Sequence, residues 1–365
     1  MPATSAPVRV NHQRLDEFVV DIFAAAGSSQ REARLIARQL VDSNLRGHDS
    51  HGVGSIPVYI RNVRSGDLPL NQSLTTVLDT PSLLVCDGNG GAGQVMAHDA
   101  MALGITKAEQ CGVALVGLRN SHHIGRIGHW AEQCADAGLA SVHFVNVVST
   151  PSVAPFGGGA ARIGTNPFAI GIPRGGERPI ILDFATSKLA VGKVRVAMNS
   201  GKPLPPGALL TADGEPTTDP SVLFGTPKGV LLPFGEHKGW GLALACELLG
   251  AALTGGKTQT GPKTRDAVIN CMLSILICVD RLGTGDICFA EIDAFIAWAR
   301  SGNNAGVLLP GDPEAATTQE RLRDGIPIDA QSWADIVNAA ADVGVQPSPL
   351  LYDLGKQRPR RASAP

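Results

Sequence analysis

Residues 82–147 read SLLVCDGNGGAGQVMAHDAMALGITKAEQCGVALVGLRNSHHIGRIGHWAEQCADAGLASVHFVNV. Three apolar, β-prone runs, Ser82–Cys86, Val113–Leu118 and Ala140–Val147, alternate with two stretches of helical spacing, about Gln94–Gln110 and Ile124–Gly138. A β-α-β-α-β alternation of this kind predicts an α/β layer with helices lying on the faces of a sheet. The first link, Gly88-Asn89-Gly90-Gly91-Ala92-Gly93, is a literal G-x-G-x-x-G between a strand and a helix. In a dinucleotide fold such glycines bring a pyrophosphate to the helix N-terminus. The supporting acid is missing, because the next strand ends in Arg119 and Asn120 rather than Asp or Glu. Arg119 could read a 2′-phosphate, yet a lone glycine fingerprint is weak, and a tight β-to-α turn is the preferred reading.

The second strand runs into Arg119–Trp130, RNSHHIGRIGHW, and a matching histidine-bearing loop lies upstream at Arg46–Tyr59, RGHDSHGVGSIPVY. A histidine near neutral pH can give a proton to a carbonyl oxygen as it becomes an alkoxide, with a neighbouring hydroxyl or carboxylate orienting its ring. For one isolated loop histidine a capping or core-satisfying role is the commoner outcome. Two such loops, each flanked by small residues, favour a site if they meet in space. Metal binding is disfavoured, since His48 with His51 and His122 with His123 lack the helical spacing and supporting acid of H-E-x-x-H. A serine hydrolase is disfavoured too, as there is no G-x-S-x-G elbow.

Around this centre the chain is that of a soluble globular protein. Its 365 residues are 44% hydrophobic and 18% charged, with a formal charge of −2. Nothing in that balance points to nucleic acid or a membrane surface. No secretory signal core opens the chain and no apolar run approaches a membrane span, so the expected compartment is the cytoplasm. Seven cysteines without a C-x-x-C pair read as reduced core residues. Asn11–Ala26 is an amphipathic helix, and Ser29 with Glu32 starts a second that runs to about Leu45. Residues 199–235 read as long loops and a candidate lid, Lys238–Leu253 as a helix buried on most sides, Ala267–Val279 as a long buried strand and Gly306–Pro310 as a last short strand. Helices at about Pro313–Asp324 and Ser332–Val343 finish the fold. The Pro- and Arg-rich residues 346–365 read as a disordered tail.

Two strand ends carry small polar groups, Thr165 and Asn166 in IGTNPFAIGIP and Asp183, Thr186 and Ser187 in ILDFATSKLAVGK. Such ends are where α/β proteins bind ligands, although ordinary turns and helix caps use the same residues.

Taken together, RGHDSHGV, GVALVGLRNSHHIGRIGHWA, APFGGGAARIGTNPFAIGIP, ILDFATS, HKGWGLALACELLGAALTGG and GVLLPGDPE resemble the type 2 malate/L-lactate dehydrogenase family, in order and across roughly Leu15 to Val343. The resemblance implies an NAD(P)-dependent oxidoreductase interconverting 2-hydroxy and 2-keto acids, or a related cyclic imine, with NAD or NADP as cofactor and a homodimer as the assembly. It implies a layered mixed sheet with flanking helices that binds NAD(P) without a Rossmann unit. A helical domain, residues 1–75 with about 305–345, would accompany an α/β domain at 76–304. Carried over, His51 becomes the proton donor, Ser50 its partner, His123 a second site histidine and Lys193 a further catalytic residue. Thr165 contacts substrate. Asp183, Phe184, Ala185, Thr186, Ser187 and Lys188 form the cofactor edge, with His237, Lys238, Pro310, Gly311 and Asp312. Many members carry arginine four residues after the motif histidine, where it grips a carboxylate. Here Ser55 stands there, so either Arg46, Arg61 or another cation takes over, or the substrate differs, or activity is weak. The hydroxy-acid enzymes usually have lysine at position 193 and the imine reductase aspartate, which favours carbonyl chemistry.

Overall fold

The structure is a computed structural model that describes residues 7–199, 201–260 and 267–352. A short strand β1 (Val8–Val10) leads into helices α1 (His12–Ala25) and α2 (Gln30–Leu45). Asn11 caps the first, its side chain accepting from the amides of Gln13 and Arg14, and Ser29 caps the second by accepting from Glu32, as the S-x-x-E spacing predicts. The histidine loop follows, and Pro57 falls in the first turn of α3 (Ile56–Ser65), where its missing N–H costs nothing.

The sheet begins with β2 (Thr75–Asp79) and β3 (Leu83–Asp87), then α4 (Gly93–Cys111), β4 (Val113–His122), α5 (Gly128–Asp136) and β5 (Leu139–Val148). A hairpin of β6 (Phe168–Arg174) and β7 (Glu177–Phe184) and helix α6 (Val191–Asn199) come next. Three two-residue strands, β8 (Leu209–Leu210), β9 (Pro216–Thr217) and β10 (Val230–Leu231), precede α7 (His237–Glu247). The chain ends with β11 (Ile269–Cys278), α8 (Gly285–Ala299), α9 (Asp312–Asp324), β12 (Ile326–Ile328) and α10 (Ala330–Ala341).

The main sheet has seven strands in the order β2-β3-β4-β11-β5-β6-β7. Only β3 and β4 pair in parallel; β11 enters antiparallel to both β4 and β5 and separates them. The expected mixed α/β layer is therefore present, and its order is not that of a doubly wound parallel sheet. The sequence INCMLSILIC is apolar on both faces, which suits a central strand covered on both sides. One continuous buried cluster runs from Leu15 and Phe23 in α1 through Leu84 and Val116 in the sheet to Ile336 in α10. The two ends of the chain meet directly, since β1 pairs with β12.

Several sequence expectations need correction. Residues 199–235 are not merely loops: β8, β9 and β10 form a small sheet over a second core that includes Val153, Ile163, Val194, Leu209 and Leu231. Strands of two residues are too short to show an alternating pattern. Gly306–Pro310 is not a strand, because the Asp312 carboxylate takes the Leu309 amide at 2.8 Å and folds the run into a turn. The helix predicted at Lys238–Leu253 packs on one side only; Leu244, Leu248 and Leu253 are exposed. Five cysteines are buried as expected, but Cys111 is exposed and Cys288 half-buried. Of the expected disordered tail, residues 346–352 are ordered against the fold, with Leu351 buried and its carbonyl accepting from the Asn11 amide at 2.9 Å, and residues 353–365 lie outside the described residues.

Candidate active site

The loop after α2 is clamped before it carries any chemistry. Asn44 donates to the Asp49 carboxylate at 2.6 Å and accepts from the Val53 amide at 2.8 Å. Arg321 of α9 grips Asp49 from the other side, with Nη2 3.0 Å from Oδ2. A Cβ at Gly52 would lie closer than 3.0 Å to the Asn44 amide, so glycine is required for the loop to close over that side chain. The loop holds His51 with Nδ1 3.0 Å from Ser50 Oγ.

The second histidine comes from the C-terminal end of β4, and the glycine-rich link places it. Gly88 and Gly90 donate their amides to the carbonyls of Arg119 and Asn120, and Gly91 accepts from the His122 amide at 3.0 Å. Gly93 abuts the His122 and His123 carbonyls so tightly that a Cβ there would lie closer than 3.0 Å to both oxygens. On the far side Asn270 of β11 accepts from the Ile124 amide at 3.0 Å. The G-x-G-x-x-G stretch thus works as a packing surface for the histidine strand.

The two loops meet. The rings of His51 and His123 stack with centroids 5.7 Å apart and planes 22° from parallel. His123 Nδ1 lies 2.6 Å from the Tyr59 hydroxyl, which receives the Gln94 amide at 3.0 Å. Both histidines line a cavity of about 390 Å³, together with Thr165, Val191, Arg195 and Asn270. Helix α6 lies against the loop so closely that a Cβ at Gly192 would come within 3.0 Å of Ser50. The adjacent Lys193 is exposed, and its charge is felt at His51.

Burial governs the protonation of this pair. It pushes His51 down to about 4, against the attraction of Asp183 and with the help of positive charge on His48, Arg126 and Lys193. Burial and the proximity of His51 and His122 hold His123 well below the ordinary histidine range. At neutral pH both rings are therefore neutral in the free protein.

The other expected residues fall into two groups. Thr186 is buried and donates to the carbonyls of Thr165 and Asn166 at 3.0 and 2.9 Å, tying its strand end to the cavity wall. Ser187 donates to Leu189, Lys188 to Pro206 and Gly207, and Phe184 packs edge-on against Phe234. His237 packs edge-on against Phe156 at the start of α7, with Lys238 beside it. By contrast Arg46, Asp183 and Gly311 border a separate, larger cavity of about 820 Å³. Arg46 is engaged there by Asp42 at 3.0 Å and Glu132 at 3.2 Å. Asp183 accepts from the Gly128 amide, and Asp312 pairs with Arg178 and Arg300. Ser55 stands at the N-terminus of α3 and caps it with no side-chain bond.

Asp42, His129 and Glu132 could in principle hold a metal ion, their ligand atoms lying within 4.8 Å of one another. The guanidinium groups of Arg46 and Arg126 already bridge both carboxylates, with Arg126 2.6 Å from Glu132 and 3.1 Å from Asp42. Burial opposes ionisation of Asp42, but the His129 hydrogen bond and these cations hold it well below the usual carboxylate range. Ion pairing accounts for the cluster.

Reasoning on sequence passed over Tyr59, Gln94, Arg195 and Asn270. Tyr59 lay inside the quoted loop motif, but an aromatic eight residues past a histidine on an apolar helix face reads as core. Gln94 and Asn270 become visible only through pairing across the fold.

The malate/L-lactate dehydrogenase family model matches residues 10–337. Hydroxycarboxylate dehydrogenase B of Escherichia coli strain K12 is 49% identical over 346 residues, covering 92% of this chain and 95% of that protein. Among solved structures, sulfolactate dehydrogenase from Methanocaldococcus jannaschii superposes with a TM-score of 0.83 at 30% identity, covering 93% of this chain and 98% of that one. Δ1-Piperideine-2-carboxylate reductase from Pseudomonas syringae pv. tomato does so with a TM-score of 0.80 at 30% identity, covering 91% and 99%. Fold, motif order and matches over nearly the whole length lead to one assignment: the chain belongs to the malate/L-lactate dehydrogenase family.

Proposed function

We propose that this chain interconverts a small 2-hydroxy acid and its 2-keto acid with a nicotinamide cofactor, NAD or NADP, and that His51 moves the proton. The observation that carries the reading is the stacked His51–His123 pair inside one cavity, reached from two loops far apart in sequence. The cavity suits the cofactor chemically: Ser149, Thr150, Ser152 and Gly164 line it with small groups, and Arg195 and Lys228 bring positive charge suited to phosphates. Strand end Asp183–Lys188, with His237–Lys238 and Pro310–Asp312, is the proposed cofactor edge, supported by the bonds from Thr186 to Thr165 and Asn166. A bound reduced nicotinamide supplies hydride to the carbonyl carbon. His51 gives its proton to the oxygen that becomes the hydroxyl, and in the reverse direction takes it back. Ser50 Oγ steadies the His51 ring, Lys193 supplies nearby positive charge, and Thr165 is the candidate substrate contact in this cavity, whereas Arg46 borders the other cavity and is held by Asp42 and Glu132.

A base held at about 4 is ready to accept a proton at neutral pH. The sign follows directly. For oxidation of the hydroxy acid, kcat/KM is expected to stay flat above about pH 5 and to fall as His51 protonates below it. For reduction of the keto acid the required form is protonated, so kcat/KM should fall by about tenfold per pH unit on the alkaline side. Stopped-time assays in both directions across pH 4–8 check this, and a reduction rate that climbs with pH would rule out His51 as the donor. The reading as a whole is tested by titrating the protein with NADH and NADPH and then assaying a keto-acid panel beside a cyclic imine carboxylate. Binding of neither cofactor would end it; turnover of the imine alone would move the chain to the reductases.

We also propose a cytoplasmic homodimer, with residues 1–75 and about 305–345 acting as one helical domain. Support for a second copy comes from exposed Ile287, Phe295 and Trp298 on α8, beside exposed Leu282 and Leu308. No helix among the described residues is long and apolar enough to cross a membrane. Phe295→Glu combined with Trp298→Glu is expected to halve the particle mass in light scattering. A wild-type monomer at micromolar concentration would refute the dimer.

A further inference from the structure

Behind His123 lies a chain of two buried side chains, Tyr59 and Gln94. A neutral imidazole has one donor and one acceptor nitrogen, and the hydrogen bond made by one fixes the role of the other. Gln94 Nε2 can only donate, and it donates to the Tyr59 hydroxyl at 3.0 Å. The phenolic proton must then go to another atom, and His123 Nδ1 lies 2.6 Å away. Tyr59 is 3% and Gln94 2% exposed, so both partners are buried. Burial also raises the tyrosine's ionisation well above its ordinary value, which keeps the phenol a donor.

We propose that Tyr59, held by Gln94, is a positioning residue that fixes neutral His123 as its Nε2–H tautomer, leaving a hydrogen-bond donor on the cavity side of the ring. The two site histidines are then unlike. Ser50 Oγ beside His51 Nδ1 can donate or accept, so His51 can change protonation state without losing its partner. His123 cannot gain a proton at Nδ1 without reversing the phenol. Its part is to hold the substrate oxygen or carboxylate by Nε2–H while His51 transfers the proton. That catalytic consequence rests on the dehydrogenase reading; the tautomer itself does not.

The test uses the full-length protein with ¹⁵N-labelled histidine, without substrate, near pH 7.5, the His123 signal being assigned by its loss in His123→Gln. Expected are a protonated-type Nε2 shift and an unprotonated-type Nδ1 shift. Tyr59→Phe, which keeps the ring, should move both shifts toward a mixture of tautomers. It should also lower kcat about 10- to 100-fold, the usual scale for losing an orienting partner, while NAD(P)H affinity measured by fluorescence stays unchanged. Gln94→Met should produce a smaller change of the same kind, because the phenol then points by choice rather than by constraint. An Nδ1–H signal in the wild type overturns the proposal, and so does an unshifted tautomer in Tyr59→Phe. The expected tautomer in a protein that turns over no keto acid or imine would uphold the relay and count against hydride transfer instead.

Discussion

His51→Ala is expected to lower turnover by about 10²- to 10⁴-fold, the range that a positioned proton donor ordinarily contributes. Cofactor affinity should survive, because the small polar and charged groups proposed to hold the cofactor, Ser149, Thr150, Ser152, Arg195 and Lys228, are other residues of the cavity lining and remain in place. The loop itself should survive as well. Its geometry depends on bonds among Asn44, Asp49, Val53 and Arg321 that do not involve the imidazole ring, whose Nδ1 is partnered among the described residues by Ser50. Loss of rate with unchanged thermal midpoint therefore reports chemistry and not unfolding. Turnover close to wild type would remove His51 from the mechanism. If His123→Ala proves the more damaging, the roles of donor and orienting residue should be exchanged.

Gly93→Ala is expected to be nearly as damaging, for a different reason. The added methyl would press on the His122 and His123 carbonyl oxygens, which belong to the backbone and cannot rotate away. Overpacking of this kind costs about 1–3 kcal/mol, or more where the neighbour is rigid. Any relief must come from displacing the strand end that carries His123, and a shift of about 1 Å at a reacting group can cost on the order of 10²-fold in rate. Activity and melting temperature should fall together. Gly54→Ala is the matched control, since its nearest neighbour beyond the adjacent residues is the Asp49 carbonyl at 3.8 Å. An active, fully stable Gly93→Ala protein would show that the glycine-rich link does not place His123.

Legibility followed the range of the interactions concerned. The helices α1 and α2 and their caps were readable because a capping residue and its acceptor lie within a few positions of each other. The β-α-β-α-β run was readable because each element is long enough to show its period. The order of the main sheet was not, since β11 finds its place between β4 and β5 only by pairing across more than a hundred residues. The same division holds for the site. His51 and His123 stood out by composition, and their meeting followed from the family resemblance rather than from spacing. Arg46 stood as a cation for the substrate; its pairing with Asp42 four residues earlier fits a local helical spacing, whereas its second partner, Glu132 on α5, is set only by the fold. Tyr59 carried no signal of its own in the sequence, and it is buried; the distance to His123 Nδ1 is what distinguishes it.

The late arrival of the central strand has a consequence for how the chain matures. When the ribosome makes residues 269–278, the residues of β4 and β5 have already been synthesised, and the strand that separates them in the finished sheet is still missing. Two apolar strand edges are then open to pairing with another nascent chain. Pairing over such sequence separations is also slow, because loop-closure entropy must be met before the contacts form. The sheet closes only when INCMLSILIC slides between them, so a chain stopped before residue 269 would carry a divided sheet and a strong tendency to aggregate.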